Sequence, residues 1–145
     1  MKALLQRVSQ ASVSIDGTEV ARIDTGLLVL VGIEPDDNAQ SLEKMLQKLL
    51  NYRVFADEQG RMNKSLTDIQ GGLLLVSQFT LAADTRSGLR PGFSTAAAPA
   101  QAEALFAQLV HMAQARYAKV QTGQFGADMQ VQLVNDGPVT FMLEV

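Results

Sequence analysis

The sequence predicts a strand-rich α+β single domain over residues 1–145, with a mainly antiparallel sheet, a barrel-like core and two main helices. Three observations lead there. Segments of alternating apolar and polar residues stand near both ends, as half-buried antiparallel strands require. Two continuous apolar runs of strand length, residues 26–33 and 73–76, imply burial on both faces. Two further stretches repeat their apolar residues at helical spacing.

In chain order, residues 3–15 read as a long strand, closed by a turn at Asp16-Gly17, and residues 20–23 return. The apolar run 26–33 follows. Residues 35–38, Pro-Asp-Asp-Asn, supply a turn and a helix cap, behind which Leu42, Met45, Leu46, Leu49 and Leu50 recur at helical spacing. Val54-Phe55 and residues 61–63 flank Asp57-Glu58-Gln59-Gly60 as a small hairpin, and the run 73–76 leads into Ser77-Gln78-Phe79-Thr80-Leu81. A Gly-, Pro- and Arg-bearing loop covers about residues 82–98. Pro99 fits a first helical turn, with Ala102, Leu105, Phe106, Leu109, Val110 and Ala113 marking the helix behind it. Met129, Val131 and Leu133 alternate with polar residues, as do Val139, Phe141, Leu143 and Val145. No repeat, low-complexity segment or linker interrupts the chain.

A domain of this size buries roughly 68–70% of the surface its unfolded chain exposes. No apolar run approaches the roughly 20 residues that span a bilayer, and the first seven residues turn polar too early for a signal-peptide core. The expectation is a cytoplasmic protein without membrane association. Zero cysteines exclude disulfides, thiolate nucleophiles and zinc–thiolate sites, and the single His111 excludes a histidine-rich metal centre within one chain. No metal or other cofactor is expected.

Charge is informative by region. The chain carries a net −3, which argues against general phosphate-backbone binding and against DNA as a partner. Residues 61–127 nevertheless hold six basic and three acidic side chains. A nucleic acid would therefore meet Arg86, Arg90, Arg116 and Lys119; solvated surface charge is the competing reading for each.

Which residues could carry chemistry? Ser77-Gln78-Phe79-Thr80 ends a buried strand and offers two hydroxyls, an amide and an aromatic ring. Composition favours a plain strand end whose hydroxyls bond nearby backbone. A hydroxyl nucleophile normally needs an adjacent base, and His111, the one imidazole, falls mid-helix. The carboxylates Asp36, Asp37, Asp57 and Glu58 sit in turns, and Gly71-Gly72 and Gly123-Gln124-Phe125-Gly126 lack the spacing of nucleotide motifs. Chemistry here has to use backbone dipoles, hydroxyls or the substrate's own groups. The remaining oddity is Val134-Asn135-Asp136-Gly137-Pro138-Val139-Thr140. Asp-Gly between alternating segments is a hairpin signal, but the proline removes a donor where the returning strand should begin to pair. Acceptors left without donors there would suit an ammonium group, whereas composition alone favours a trans proline at the start of an edge strand.

Ser77-Gln78-Phe79-Thr80-Leu81 and Asn135-Asp136-Gly137-Pro138-Val139-Thr140 resemble the two signature motifs of the D-aminoacyl-tRNA deacylases. The resemblance runs essentially end to end. Gln6-Arg7-Val8, Tyr52-Arg53 with Phe55, Met62-Asn63, Arg90-Pro91 with Phe93, and Gln121-Thr122-Gly123 all fall in family order. Ala82, where many members have tyrosine, and Gly92, where serine or aspartate is common, depart from the pattern at the pocket rim.

The resemblance implies a homodimeric cytoplasmic esterase that removes D-amino acids, and glycine from mischarged tRNA, at the tRNA acceptor end. It implies a cis Gly137–Pro138 bond, with this dipeptide entering the partner subunit's pocket and excluding L side chains by its carbonyls. By the same resemblance Ser77, Gln78, Phe79 and Thr80 line the ester pocket, while Arg7 anchors the Gly137-Pro138 loop across the dimer with support from Asn135. Phe125 and Met129 become walls for the terminal adenine, with core packing as the alternative for both. The reaction is then assisted by the terminal 2′-hydroxyl. Two other readings stay open: Thr80 as a true nucleophile, and a non-enzymatic oligomeric module binding small molecules or nucleotides.

Overall fold

The computed structural model describes residues 1–145. Its spine is β1 (Lys2–Ile15), which has neighbours along both edges. On one edge the first half of β1 pairs with β3 (Gly26–Gly32) and the second half with β2 (Thr18–Ile23), both antiparallel. On the other edge lies β8 (Gln130–Glu144), antiparallel along nearly the whole length. Beyond β3 follow β6 (Gly72–Ser77) and β7 (Val120–Thr122), joined by parallel pairing. The sheet curls until β2 meets β6 and β7, giving the expected barrel-like form.

The apolar runs owe their continuity to burial on two sides. Leu27, Val29, Leu73 and Leu75 point into the larger cluster, under the helices, whereas Leu28, Leu74 and Val76 point into a smaller one with Val8, Ala11 and Val13. Where β3 and β6 begin, Gly26 and Gly72 let the two backbones close up. A Cβ on Gly26 would stand 2.0 Å from the Gly72 carbonyl oxygen.

Helix α1 (Ala39–Asn51) starts at Asn38, whose side chain accepts from the Gln40 and Ser41 N–H groups, and Leu42, Met45, Leu46, Leu49 and Leu50 are all buried. Helix α3 (Pro99–Arg116) opens on its proline and buries Ala102, Phe106, Leu109 and Ala113. The hairpin of β4 (Phe55–Ala56) and β5 (Met62–Lys64) stands where the sequence predicts it. Three short elements were not predicted: the single-turn α2 (Leu66–Ile69), a 3₁₀ turn at Phe79–Ala82, and β7. Each is two turns or less, or three residues long, too short for a periodicity to register.

The larger correction concerns the chain's end. Asp136-Gly137 closes no hairpin. Residues on both sides of it pair with the same strand in one direction, Thr140 opposite Gln6 and Asn135 opposite Val8. Residues 136–139 are thus an excursion from β8, four residues facing the single residue Arg7. The alternating pattern is that of two strands, but β1 is long enough to hold both halves as one.

The two termini meet. The Met1 ammonium donates to Glu34 Oε2 at 2.5 Å, Asp37 Oδ1 at 2.9 Å and the Val145 carbonyl at 3.3 Å, while the Met1 side chain is buried.

Candidate functional site

The end of β6 is built tightly. Ser77 pairs with Val31, and the Gln78 N–H donates to the Val31 carbonyl at 2.7 Å, carrying the β3–β6 connection one residue past the strand. The chain then turns through Phe79–Ala82 against Gly32, where an added Cβ would lie 2.9 Å from Leu81 Cβ and 3.2 Å from the Gln78 carbonyl oxygen. Gln78 Nε2 donates to Thr80 Oγ1 at 2.5 Å, and both Phe79 and Thr80 are exposed. The structure brings Ser77, Gln78, Phe79 and Thr80 together on one turn.

Phe79, 52% exposed, stacks at 5.1 Å between ring centroids on Phe93, itself 46% exposed. Sequence reasoning missed Phe93 as part of this surface. Its place is set by a pinched loop: the Asp84 N–H donates to the Gly92 carbonyl at 2.8 Å and the Gly92 N–H to the Asp84 carbonyl at 3.0 Å. Thr95 Oγ1 also donates to the Ala82 carbonyl at 2.6 Å, tying the following segment to the 3₁₀ turn. Within the loop, hydrogen bonds from the Arg86 side chain and backbone hold the Asp84 carboxyl well below the usual carboxylate range.

The β8 excursion carries the second motif. The Gly137–Pro138 peptide bond is cis, and both residues are exposed. Arg7 Nε donates to the Asp136 carbonyl at 2.8 Å, and its Nη1 donates to the Val54 carbonyl at 2.7 Å. The Asp136 carboxylate lies 3.9 Å from Nε, so backbone carbonyls hold this guanidinium more closely than the carboxylate does. Arg7 is expected to anchor the loop across a dimer, and within its own chain it holds the loop as well. Asn135 closes the excursion at its neck, accepting from the Val139 N–H at 2.7 Å and donating to the Val139 carbonyl at 3.2 Å.

The two motifs do not meet in one chain. The 3₁₀ turn packs on Gly32, which pairs with Lys2, whereas the excursion faces Arg7, five residues further along β1. That is roughly 17 Å of strand.

Residues 4–144 match the family described as D-Tyr-tRNA(Tyr) deacylase. The chain belongs to that family. A D-aminoacyl-tRNA deacylase of Ectopseudomonas mendocina is 69% identical over 145 residues, covering all of both chains. One from Pseudomonas aeruginosa is 68% identical over 144 residues, covering 99% of each. Among solved structures, one titled c-Myc DNA Unwinding Element Binding Protein is 42% identical, with a TM-score of 0.96 over 100% of this chain and 99% of its own. A probable eukaryotic D-amino acid tRNA deacylase, 20% identical with a TM-score of 0.78 over 99% of this chain and 98% of its own, shares the fold. The chain is accordingly an enzyme, a hydrolase of D-aminoacyl-tRNA esters.

In this deacylase the other candidates are spread more widely. Phe125 is half-buried against Phe106 of α3, with ring centroids 6.3 Å apart. Met129 packs on the smaller cluster, and its sulfur lies 2.7 Å from where a Gly123 Cβ would stand. Both rest on core, each on a different cluster. His111 is exposed on α3, as its helical position predicts. Two of the four cations of the expected basic face are paired with carboxylates. Arg86 pairs with Asp84, Arg116 with Glu43, and Lys119 donates to the Gln70 carbonyl, which leaves Arg90 as the one of the four without a partner. Their partners lie on other elements or across a turn, where composition by region could not show them.

Proposed function

We propose that the deacylase works as a homodimer in which each Gly137-Pro138 tip completes the ester pocket of the other subunit and rejects L-amino acids by exclusion. The observation that carries this reading is the separation of the two motifs along β1, since in one chain they attach at points offset by roughly 17 Å along that strand. Val134, Phe141 and Met142, exposed on β8 close to the excursion, supply apolar area for such an interface. A D side chain would point away from the Gly137 and Pro138 carbonyls. Glycine has no side chain to reject, so glycyl-tRNA would be hydrolysed as well.

Within the pocket, Ser77, Gln78, Phe79 and Thr80 would hold the ester, with backbone N–H groups of the turn stabilising the oxyanion. Thr80 Oγ1 is engaged by the Gln78 amide and no histidine, lysine or carboxylate bonds it, which favours a water attack assisted by the terminal 2′-hydroxyl over a Thr80 nucleophile. Phe125 and Met129 would flank the terminal adenine, and a cytoplasmic setting fits a tRNA substrate.

Mixing a pocket variant, Thr80→Ala with Phe79→Ala, and a loop variant, Gly137→Val, tests the shared pocket. Activity in the heterodimers above that of either parent variant supports it; demonstrated heterodimers no more active than the parents refute it. A substrate whose terminal adenosine lacks its 2′-hydroxyl should react at least about 10²-fold more slowly, the scale of a lost general base.

The name of the 42%-identical solved relative raises a second reading, binding to duplex DNA. The net −3 and the carboxylate-paired Arg86 and Arg116 disfavour it. Titration with duplex DNA at rising salt separates the two.

A further inference from the structure

The Gly137-Pro138 excursion leaves and rejoins the ladder where Asn135 pairs with Val8 and Thr140 with Gln6, and the β1 side chains of Arg7 and Gln6 hold it there as well. Arg7 holds the Asp136 carbonyl at the start of the excursion. At the neck, the Asn135 amide nitrogen donates to Gln6 Oε1 at 3.2 Å, to Thr140 Oγ1 at 3.0 Å and to the Val139 carbonyl at 3.2 Å. The Asn135 oxygen meanwhile accepts from the Val139 N–H. Asn135 and Val139 therefore close the excursion on itself with a ring of two hydrogen bonds, in addition to the strand pairing that holds its two ends to β1. Gln6 is the β1 side chain that reaches into this ring.

We infer that Gln6 is a positioning residue for chiral selection: it fastens the closed Asn135–Val139 neck to β1 and so sets the angle at which Gly137 and Pro138 are presented. This rests on the proposed role of Gly137-Pro138 as the barrier to L-amino acids. Strand pairing fixes the two ends of the excursion, and the side-chain contacts of Arg7 and Gln6 restrict how the four residues between those ends tilt. The two attachments differ in kind. Arg7 is a charged fork gripping backbone carbonyls, and Gln6 offers a neutral acceptor oxygen to one side-chain amide. Residue 6 therefore needs an acceptor at the end of a side chain of this length, and Glu would serve while Leu or Ala would not.

The test compares Gln6→Leu, Gln6→Ala and Gln6→Glu in the full-length protein, with Pro138→Ala beside them. Rates are measured on D-tyrosyl- and L-tyrosyl-tRNA, and exchange of the Val139 amide proton is followed by NMR. Gln6→Leu and Gln6→Ala should narrow the ratio of D to L rates by about 2- to 12-fold, the range a lost neutral hydrogen bond supplies. Val139 exchange should quicken in both. Gln6→Glu should keep the ratio within about twofold of the parent and leave Val139 exchange unchanged, a rescue that a merely structural role at position 6 would not give. If Pro138→Ala narrows the ratio while Gln6→Leu and Gln6→Ala do not, the role of Gln6 is overturned and the barrier stands. If Pro138→Ala leaves the ratio unchanged, the barrier itself is overturned and the role of Gln6 with it. Should the truncated variants fail to fold, Gln6→Glu alone decides: a collapsed ratio in a folded protein refutes the inference.

Discussion

Arg7 and Asp136 are joined across the wider of the two breaks in the β1–β8 ladder, by a hydrogen bond of 2.8 Å from Nε to the carbonyl oxygen. The same guanidinium holds the Val54 carbonyl, so one planar group ties the excursion to the segment after α1. Lysine cannot reproduce two directed bonds from a fixed fork. Arg7→Lys should therefore lower the ratio of D- to L-tyrosyl-tRNA hydrolysis by about tenfold or more, the scale of a charge-assisted hydrogen bond. A folded Arg7→Lys enzyme with the parent ratio would refute this.

Thr80 separates two chemistries. Its hydroxyl is bonded by Gln78 Nε2 and lacks a base, so it should orient and not attack. Thr80→Ala is expected to keep measurable turnover, far above the loss of about 10⁶ that follows removal of a true nucleophile. A mass spectrum of enzyme quenched during turnover should contain no acyl adduct; an adduct on Thr80 would overturn the assignment.

His111 is exposed on α3, and no side-chain hydrogen bond ties it to the Ser77–Thr80 turn. His111→Ala should change the rate by less than about tenfold, below the 10²–10⁴ a general base contributes. Steady-state kinetics on D-tyrosyl-tRNA measures it directly, and a larger loss with circular dichroism unchanged would return the imidazole to the mechanism.

The Met1 ammonium makes stability depend on pH in a defined direction. Burial lowers its pKa, but hydrogen bonds to Asp37 and Glu34 outweigh burial and raise it above the ordinary 8.0. A pKa higher in the folded state than in the unfolded one contributes stability fully below pH 8, and that contribution is lost as pH rises through the folded value. The melting temperature should thus fall as pH rises above 8. In Asp37→Asn the protein should be less stable at neutral pH and this decline shallower. An unchanged slope in that variant would show that Asp37 does not set it.

Much of this was legible in the sequence because it depended on neighbours in sequence. Leu42 through Leu50 and Pro99 with Phe106 declare their helices by spacing and by residues suited to a helix start. The runs at 26–33 and 73–76 declare burial on two faces. The Ser77–Thr80 turn and Gly137-Pro138 were visible as motifs. What could not be read is what depends on a partner far along the chain. The Asp136-Gly137 pair has the local form of a hairpin, and only the length of β1 turns it into an excursion. Phe93 meets Phe79 because the Asp84–Gly92 bridge brings it back. Arg116 loses its availability to Glu43, 73 residues away. Gln6 carries no local signal, since its partner Asn135 is 129 residues distant.

The pairing of β1 with β8 also has a consequence in time. The strand made first during synthesis has one edge whose partner is made last, so that edge stays open until the chain has been completed through Glu144. A long unpaired edge is a template for other chains, and contacts this far apart in sequence are slow to close. Gln6 and Arg7 wait on that edge with it. The Gly137-Pro138 excursion, held between β1 and β8, can therefore take shape only once nearly all of the residues between them have been made.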